Sequence, residues 1–190
     1  MYLKSGTILE DHRCFTKGDT FEFSDVTLLV GDQGCGKSTL LNLLQQNKLE
    51  LDLTDLGKAG VNSYFFDAEK MNPRITDPQM YTNFDGTNRG IGMGNAVASR
   101  FMSHGETLVA FTVEALQKAE DCVILLDEPE SSLSIRNQFR LSEAIFDAVT
   151  RNCQLIVATH CLPLIQSAPF VLSLEHKKRL NSEEFIGTQK

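Results

Sequence analysis

The sequence predicts an α/β fold, a mainly parallel sheet flanked by helices with a small antiparallel β part at the N-terminus. Three observations carry this. The apolar stretch Val26 to Val30 runs straight into a glycine-rich turn, and from Lys37 a segment rich in helix formers continues without Gly or Pro. Between Glu106 and Leu174, helical and strand-like patterns alternate, as they do in chains that build parallel sheets. Two short strands, residues 2–9 and 20–24, precede both features, and the second alternates Phe21 and Phe23 with Glu22 and Ser24.

After the helix that begins at Lys37, Asn62 to Phe66 reads as a strand. Residues 69–95 carry Pro73, Pro78 and the glycines 86, 90, 92 and 94, so this stretch predicts an irregular, mobile region. Glu106 to Glu120 places Leu108, Val109, Phe111, Ala115, Leu116 and Ala119 near helical spacing, and Cys122 to Leu126 follows as a buried-type strand. Ser134 to Arg151 predicts a helix whose apolar stripe is Ile135, Phe139, Ile145, Phe146 and Val149. Leu155 to Ala158 and Phe170 to Leu174 complete the strands. Residues 1–190 thus predict a single domain, with about 176–190, which carry Lys177, Lys178, Arg179, Glu183 and Glu184, as a polar tail.

Composition narrows the function. A 190-residue chain with 42% hydrophobic residues can bury one core. No apolar run approaches the roughly 20 residues a membrane-spanning helix needs, and residues 1–10 do not read as a signal peptide. The expectation is a cytoplasmic protein without a membrane partner. Five cysteines, an odd number with no C-x-x-C pair, predict reduced thiols, with Cys122, Cys153 and Cys161 as small core residues. A formal charge of -7 provides no general basic surface, so strong DNA binding by this chain alone is disfavoured, although a local basic patch is compatible with that charge.

The segment Gly31 to Ser38, G-D-Q-G-C-G-K-S, matches G-x-x-x-x-G-K-[ST]. Glycines at that spacing let backbone N–H groups wrap phosphates at a helix N-terminus. Gly31, Asp32, Gln33, Gly34, Cys35 and Gly36 form the expected loop. Lys37 should reach the β- and γ-phosphates of a nucleotide, Ser38 should offer its hydroxyl to Mg²⁺, and Thr39 should lie near the α-phosphate. The apolar strand that ends in Asp127 and Glu128 supplies the second element such a loop needs. Asp127 is expected on the metal side, and Glu128 is placed to orient or deprotonate an attacking water.

Residues 123–134, V-I-L-L-D-E-P-E-S-S-L-S, resemble the Walker B and D-loop segment of ABC-type ATPases. Two further segments carry the same resemblance. Met102 to Glu106, M-S-H-G-E, has its serine 24 residues before Asp127, where that family keeps a signature loop, and residues 155–160, L-I-V-A-T-H, end in a match to its switch histidine. The S-H-G-E form resembles stand-alone members related to the SMC and recombination-repair ATPases. The resemblance implies a three-layer P-loop NTPase fold with a reduced helical lobe. It also implies ATP and Mg²⁺ as ligands, His160 as a catalytic switch, and an ATP-dependent head-to-tail homodimer in which Ser103 and Gly105 complete the opposite site. Residues 12–15, H-R-C-F, resemble the N-F-R-S-F segment of recombination-type members, which makes Arg13 either a phosphate contact or an exposed strand-end cation.

Departures from the pattern leave alternatives open. No Gln follows the strand 62–66; Asp67 and Glu69 stand there, each either a partner of Mg²⁺ or the lytic water, or a surface carboxylate. Ser134 replaces the usual D-loop Asp, and only about thirty residues separate Glu69 from the signature loop, too few for a coiled-coil arm. The leading expectation is a Mg-ATPase whose dimer opens and closes to switch a protein partner. A non-hydrolysing nucleotide sensor or scaffold and a transporter's nucleotide-binding subunit are the alternatives.

Overall fold

The computed structural model describes residues 1–58, 60, 62–67 and 104–188. The elements in chain order are β1 (Leu3–Ile8), β2 (Thr20–Glu22), β3 (Val26–Val30), α1 (Lys37–Gln45), β4 (Leu49–Leu53), α2 (Asp55–Lys58), β5 (Asn62–Asp67), α3 (His104–Lys118), β6 (Cys122–Asp127), α4 (Ile135–Val149), β7 (Gln154–Ala158), α5 (Leu162–Ser167), β8 (Phe170–Ser173), β9 (Lys178–Asn181) and α6 (Ser182–Thr188). They build two sheets. The smaller is antiparallel in the order β2-β1-β4, and the larger runs β5-β6-β7-β3-β8-β9, parallel except for the β8–β9 pair.

Strand periodicity sorts the core into two layers. Leu28 and Val30 of β3, Ile124 and Leu126 of β6, and Leu155 and Val157 of β7 face α3, α4 and α5. Their neighbours Leu29, Val123, Leu125, Ile156 and Ala158 face α1 and the small sheet, where Phe21, Phe23, Leu40 and Leu41 fill the other side. Every residue of β6 and β7 is buried, as expected of central strands covered on both faces. Gln154 joins the two sheets. Its Oε1 accepts the Tyr2 and Leu3 N–H groups, both at 2.7 Å, and its Nε2 donates to Leu3 O at 2.8 Å and Ser24 O at 3.0 Å, so this fully buried amide is satisfied at both ends.

Two expectations are corrected here. Residues 178–188 do not form a polar tail: β9 pairs with β8 in the register Val171 to Leu180, and α6 follows at once. Leu180 and Phe185 are buried in the main core, and the Arg179 guanidinium lies 4.1 Å over the Phe170 ring. Charged residues on β9 suit an edge strand, where Lys and Arg discourage further pairing. In α4 the expected stripe holds in its second half, where Ile145 is buried and Phe146 and Val149 pack partly buried against the core, and fails at its start. Leu141, Ala144, Ile145 and Ala148 are buried, whereas Ile135 is 70% and Phe139 51% exposed. At 100° per residue the latter two point away from the buried arc, whose small residues admit close approach to the sheet. Cys122, Cys153 and Cys161 are buried free thiols, as expected. No described helix is long and apolar enough to cross a membrane.

Candidate functional site

Parallel pairing brings the carboxyl ends of five strands to one edge. Asp67 lies beside Asp127, Asp127 beside Ala158, Ala158 beside Leu29, and Val30 beside Ser173. The residues that follow these strand ends therefore share one crevice, the usual ligand position of an open α/β sheet.

The loop after β3 is shaped by backbone freedom. Gly34 and Gly36 have φ of 86° and 107°, values that side chains disfavour. At Gly36, the N-cap of α1, an added Cβ would stand 2.4 Å from Cys14 Sγ and 2.8 Å from Phe15 Cζ, whereas at Gly34 it would meet nothing within 4 Å. The loop thus packs tightly against the chain on one side and stays open on the other. Its lysine is held inside the curve: Lys37, 5% exposed, donates from Nζ to Gly31 O at 2.9 Å and Asp32 O at 3.1 Å. Asp32 and Gln33 are exposed and Thr39 is half-buried. The Asp32 N–H donates to Glu175 Oε1 at 2.7 Å, which fixes the start of the loop to the turn after β8. Burial lifts the Cys35 thiol above its ordinary range, against the opposing pull of Lys37. Arg13 is exposed, with φ of 52°, in the turn closed by the reciprocal His12–Phe15 backbone bonds, and that turn reaches the loop through Cys14 and Phe15.

The loop and the carboxylate strand meet directly, because Ser38 Oγ donates to Asp127 Oδ1 at 3.0 Å. One residue on, Glu128 turns the chain with φ of 45°, a sparsely populated conformation held by two backbone bonds: its N–H to Ala158 O and the Ser131 N–H to its carbonyl, both 2.9 Å. Its Oε1 lies 3.7 Å from His160 Nε2, and both side chains are half-exposed. The structure thus gathers Lys37, Ser38, Asp127, Glu128 and His160 at one sheet edge, with buried Asp67 beside Asp127. Gly105 lies in the first turn of α3, while Glu69 and Ser103 fall outside the described residues.

Two residues that the sequence does not single out also shape this edge, Glu175 and Glu130. Glu130, 8% exposed, accepts at Oε1 from Thr159 Oγ1 and from the His160 N–H, both at 2.7 Å; its Oε2 is buried without a hydrogen-bond partner among the described residues. Burial pushes this carboxyl above the usual carboxylate range, despite the hydrogen bonds that pull it down. The only sequence signal is a second carboxylate two residues after Glu128.

The residues present fit a nucleotide with Mg²⁺. Ser38 and Asp127 offer the hard oxygen donors Mg²⁺ requires, next to a loop of backbone amides at a helix N-terminus.

The family model described as "AAA domain, putative AbiEii toxin, Type IV TA system" matches residues 62–165, more than half of the chain. The chain belongs to this family. The match runs from β5 into α5 and so takes in the Asp127–Glu128 strand and the His160 turn. No curated protein matches the sequence. Among solved structures, CbiO1 from Clostridium perfringens, part of the ABC transporter complex CbiONQ, superposes with a TM-score of 0.62 at 14% identity, over 100% of this chain and 92% of that one. The ATP-binding cassette MJ0796, a dimeric post-hydrolysis state bound to ADP and Pi, gives 0.57 at 15% identity over 95% and 97%. UvrA2 from Deinococcus radiodurans gives 0.59 at 15% identity over 90% of this chain and 35% of that one. The fold is therefore that of ABC-type P-loop ATPases.

Proposed function

We propose that this protein binds Mg-ATP at the carboxyl edge of its large sheet and hydrolyses it to ADP and phosphate in an ATP-dependent head-to-tail homodimer that switches a partner protein. The observation that carries this reading is the joining of the phosphate loop to the carboxylate strand by the Ser38–Asp127 bond, with Glu128 and His160 3.7 Å apart beside it. Lys37 and the amides of residues 31–39 would hold the phosphates, and Ser38 and Asp127 would hold Mg²⁺. Bound there, Mg²⁺ supplies charge neutralisation at the phosphates. Glu128 then orients the attacking water and takes its proton at a carboxylate oxygen, while His160 supports the terminal phosphate. Arg13, in a turn packed against the loop, is an additional candidate phosphate contact. Ser103 and Gly105 would close the site of the opposite subunit.

The test begins with calorimetry. Wild-type protein should bind Mg-ATP, and Lys37→Ala should lose detectable binding, because the removed charge is the only buried cation at the loop among the described residues. Unchanged affinity in that variant would remove the phosphate-loop assignment. For the dimer, Ser103→Arg should retain binding and lose turnover, and mixing it with Lys37→Ala should restore part of the activity through one intact composite site. A monomeric ATP-bound wild type with no such rescue would leave a protein acting alone. Binding without any hydrolysis would favour the nucleotide sensor.

A further inference from the structure

We propose that Glu130 is the positioning residue of the hydrolytic site, tying the turn that carries Glu128 to the turn that carries His160. This rests on the ATPase reading above. The two turns belong to neighbouring parallel strands, β6 and β7, whose ladder ends at Asp127 beside Ala158. Beyond that point backbone pairing across the sheet holds the first residue of each turn: Glu128 N–H donates to Ala158 O at 2.9 Å, and Thr159 N–H donates to Leu29 O at 3.1 Å.

What ties the second turn to the first, beyond the Thr159 backbone bond to β3, is the Glu130 carboxyl. A single oxygen, Oε1, receives both the Thr159 hydroxyl and the His160 backbone N–H at 2.7 Å. Thr159 Oγ1 in turn accepts the Cys161 N–H at 2.9 Å, which sets the entry into α5. Three consecutive residues around His160 are thereby fixed from one side chain on the opposite turn. On its own turn Glu130 is anchored by the Leu133 N–H, which donates to its carbonyl at 3.0 Å. Glu128 is two residues away in the same turn, so the separation of Glu128 Oε1 and His160 Nε2 depends on the length of the Glu130 side chain.

Burying a carboxyl with one oxygen that has no partner among the described residues is costly, and the Glu128 charge nearby adds to the cost. A hydroxyl or amide acceptor on a shorter side chain would avoid the penalty but would not span the gap. The two bonds at Oε1 call for an acceptor oxygen at this reach, and substitution tells whether they also call for the charge.

Length and charge separate cleanly by substitution. Glu130→Gln keeps the reach and an acceptor oxygen but removes the charge, whereas Glu130→Asp keeps the charge and shortens the reach by one methylene. On full-length protein with Mg-ATP, Glu130→Gln should retain kcat within about threefold, and Glu130→Asp should lose about tenfold or more at near-constant KM. Placed on His160→Ala, Glu130→Asp should cost less than about twofold further, since the two changes act through one element. Hydrogen exchange of the His160 amide, read without nucleotide, should quicken in Glu130→Asp and stay protected in Glu130→Gln. Full turnover in Glu130→Asp, equal losses in the two variants, or multiplicative losses with His160→Ala would each overturn the proposal. A wild type that binds ATP but never hydrolyses it overturns the ATPase reading and the catalytic role with it. The exchange data still report whether the tie exists.

Discussion

The turn after β3 and the paired turns after β6 and β7 meet at the same crevice, yet they are built by opposite means. The first is shaped by residues that lack side chains: Gly34 and Gly36 adopt φ of 86° and 107°, and Gly36 leaves room only for a hydrogen against Cys14 and Phe15. The second adds to its backbone bonds one side chain buried between two turns, with Glu128 bent to φ of 45° on one side and Thr159–Cys161 gathered on the other. A cradle for phosphate must present backbone amides and so excludes side chains. The proposed hydrolytic pair requires two side chains from different strands to be fixed together, which backbone alone does not do. Variants in the first turn should therefore change binding, and variants in the second should change turnover.

The largest effect that could break this division is at Glu128. Glu128→Gln keeps the shape and removes the proposed proton acceptor, so turnover should fall by roughly 10²- to 10⁴-fold with ATP affinity nearly intact. The closed state should accumulate, and light scattering with Mg-ATP should find a stable dimer in this variant and a transient one in the wild type. Loss of binding in place of turnover would put Glu128 on the phosphate side of the division.

A smaller effect sharpens the other half. Gly36→Ala should destabilise the protein by about 2–3 kcal/mol and weaken ATP binding, because the new methyl both demands an unfavourable φ and collides with Cys14 and Phe15. Gly34→Ala meets open space and should cost only about 1–2 kcal/mol, the backbone term alone. Chemical denaturation of the two variants compares them directly. Equal costs would mean that packing against residues 14 and 15 contributes nothing to the shape of the loop.

The same contrast explains what the sequence made legible. The phosphate loop is a local object: its glycines, lysine and following helix lie within fifteen residues of one another, and pattern reading recovers them together with the apolar strands β3, β6 and β7. Other features depend on contacts far along the chain. Glu130 acts on residues about thirty positions away, and nothing local distinguishes it from an exposed turn carboxylate. Residues 178–188 look like a solvated tail because Leu180 and Phe185 are two apolar anchors in a charged segment, and only the free edge of β8 gives them a place. In α4 the large side chains of Ile135 and Phe139 draw the expected stripe past the face the core takes, which centres on Leu141, Ala144, Ile145 and Ala148. The strand β4 carried a readable signal, Leu49, Leu51 and Leu53 alternating with Glu50 and Asp52, on which its antiparallel pairing with β1 rests.

The smallest expected effect concerns the pH dependence of the carboxylate-tied turns, and its sign follows from burial. Desolvation raises the Glu130 carboxyl above the usual carboxylate range in the folded protein, so over the interval between the unfolded and folded values the native state holds a proton that the unfolded chain has released. Stability contributed by this group is complete below the unfolded value and is lost as pH rises through the folded one. Glu130→Gln does not titrate and removes that dependence. Urea denaturation of both proteins from pH 4 upward should therefore give curves that diverge, the wild type losing ground relative to Glu130→Gln by at most about 1.4 kcal/mol per pH unit and running parallel to it once the folded value is passed. Parallel curves throughout would mean that the carboxyl titrates as it does in the unfolded chain, with its charge as well hydrated as in water. The buried Oε2, which has no partner among the described residues, would then have one in solution, and the two turns would be joined by something more than the single accepting oxygen at Oε1.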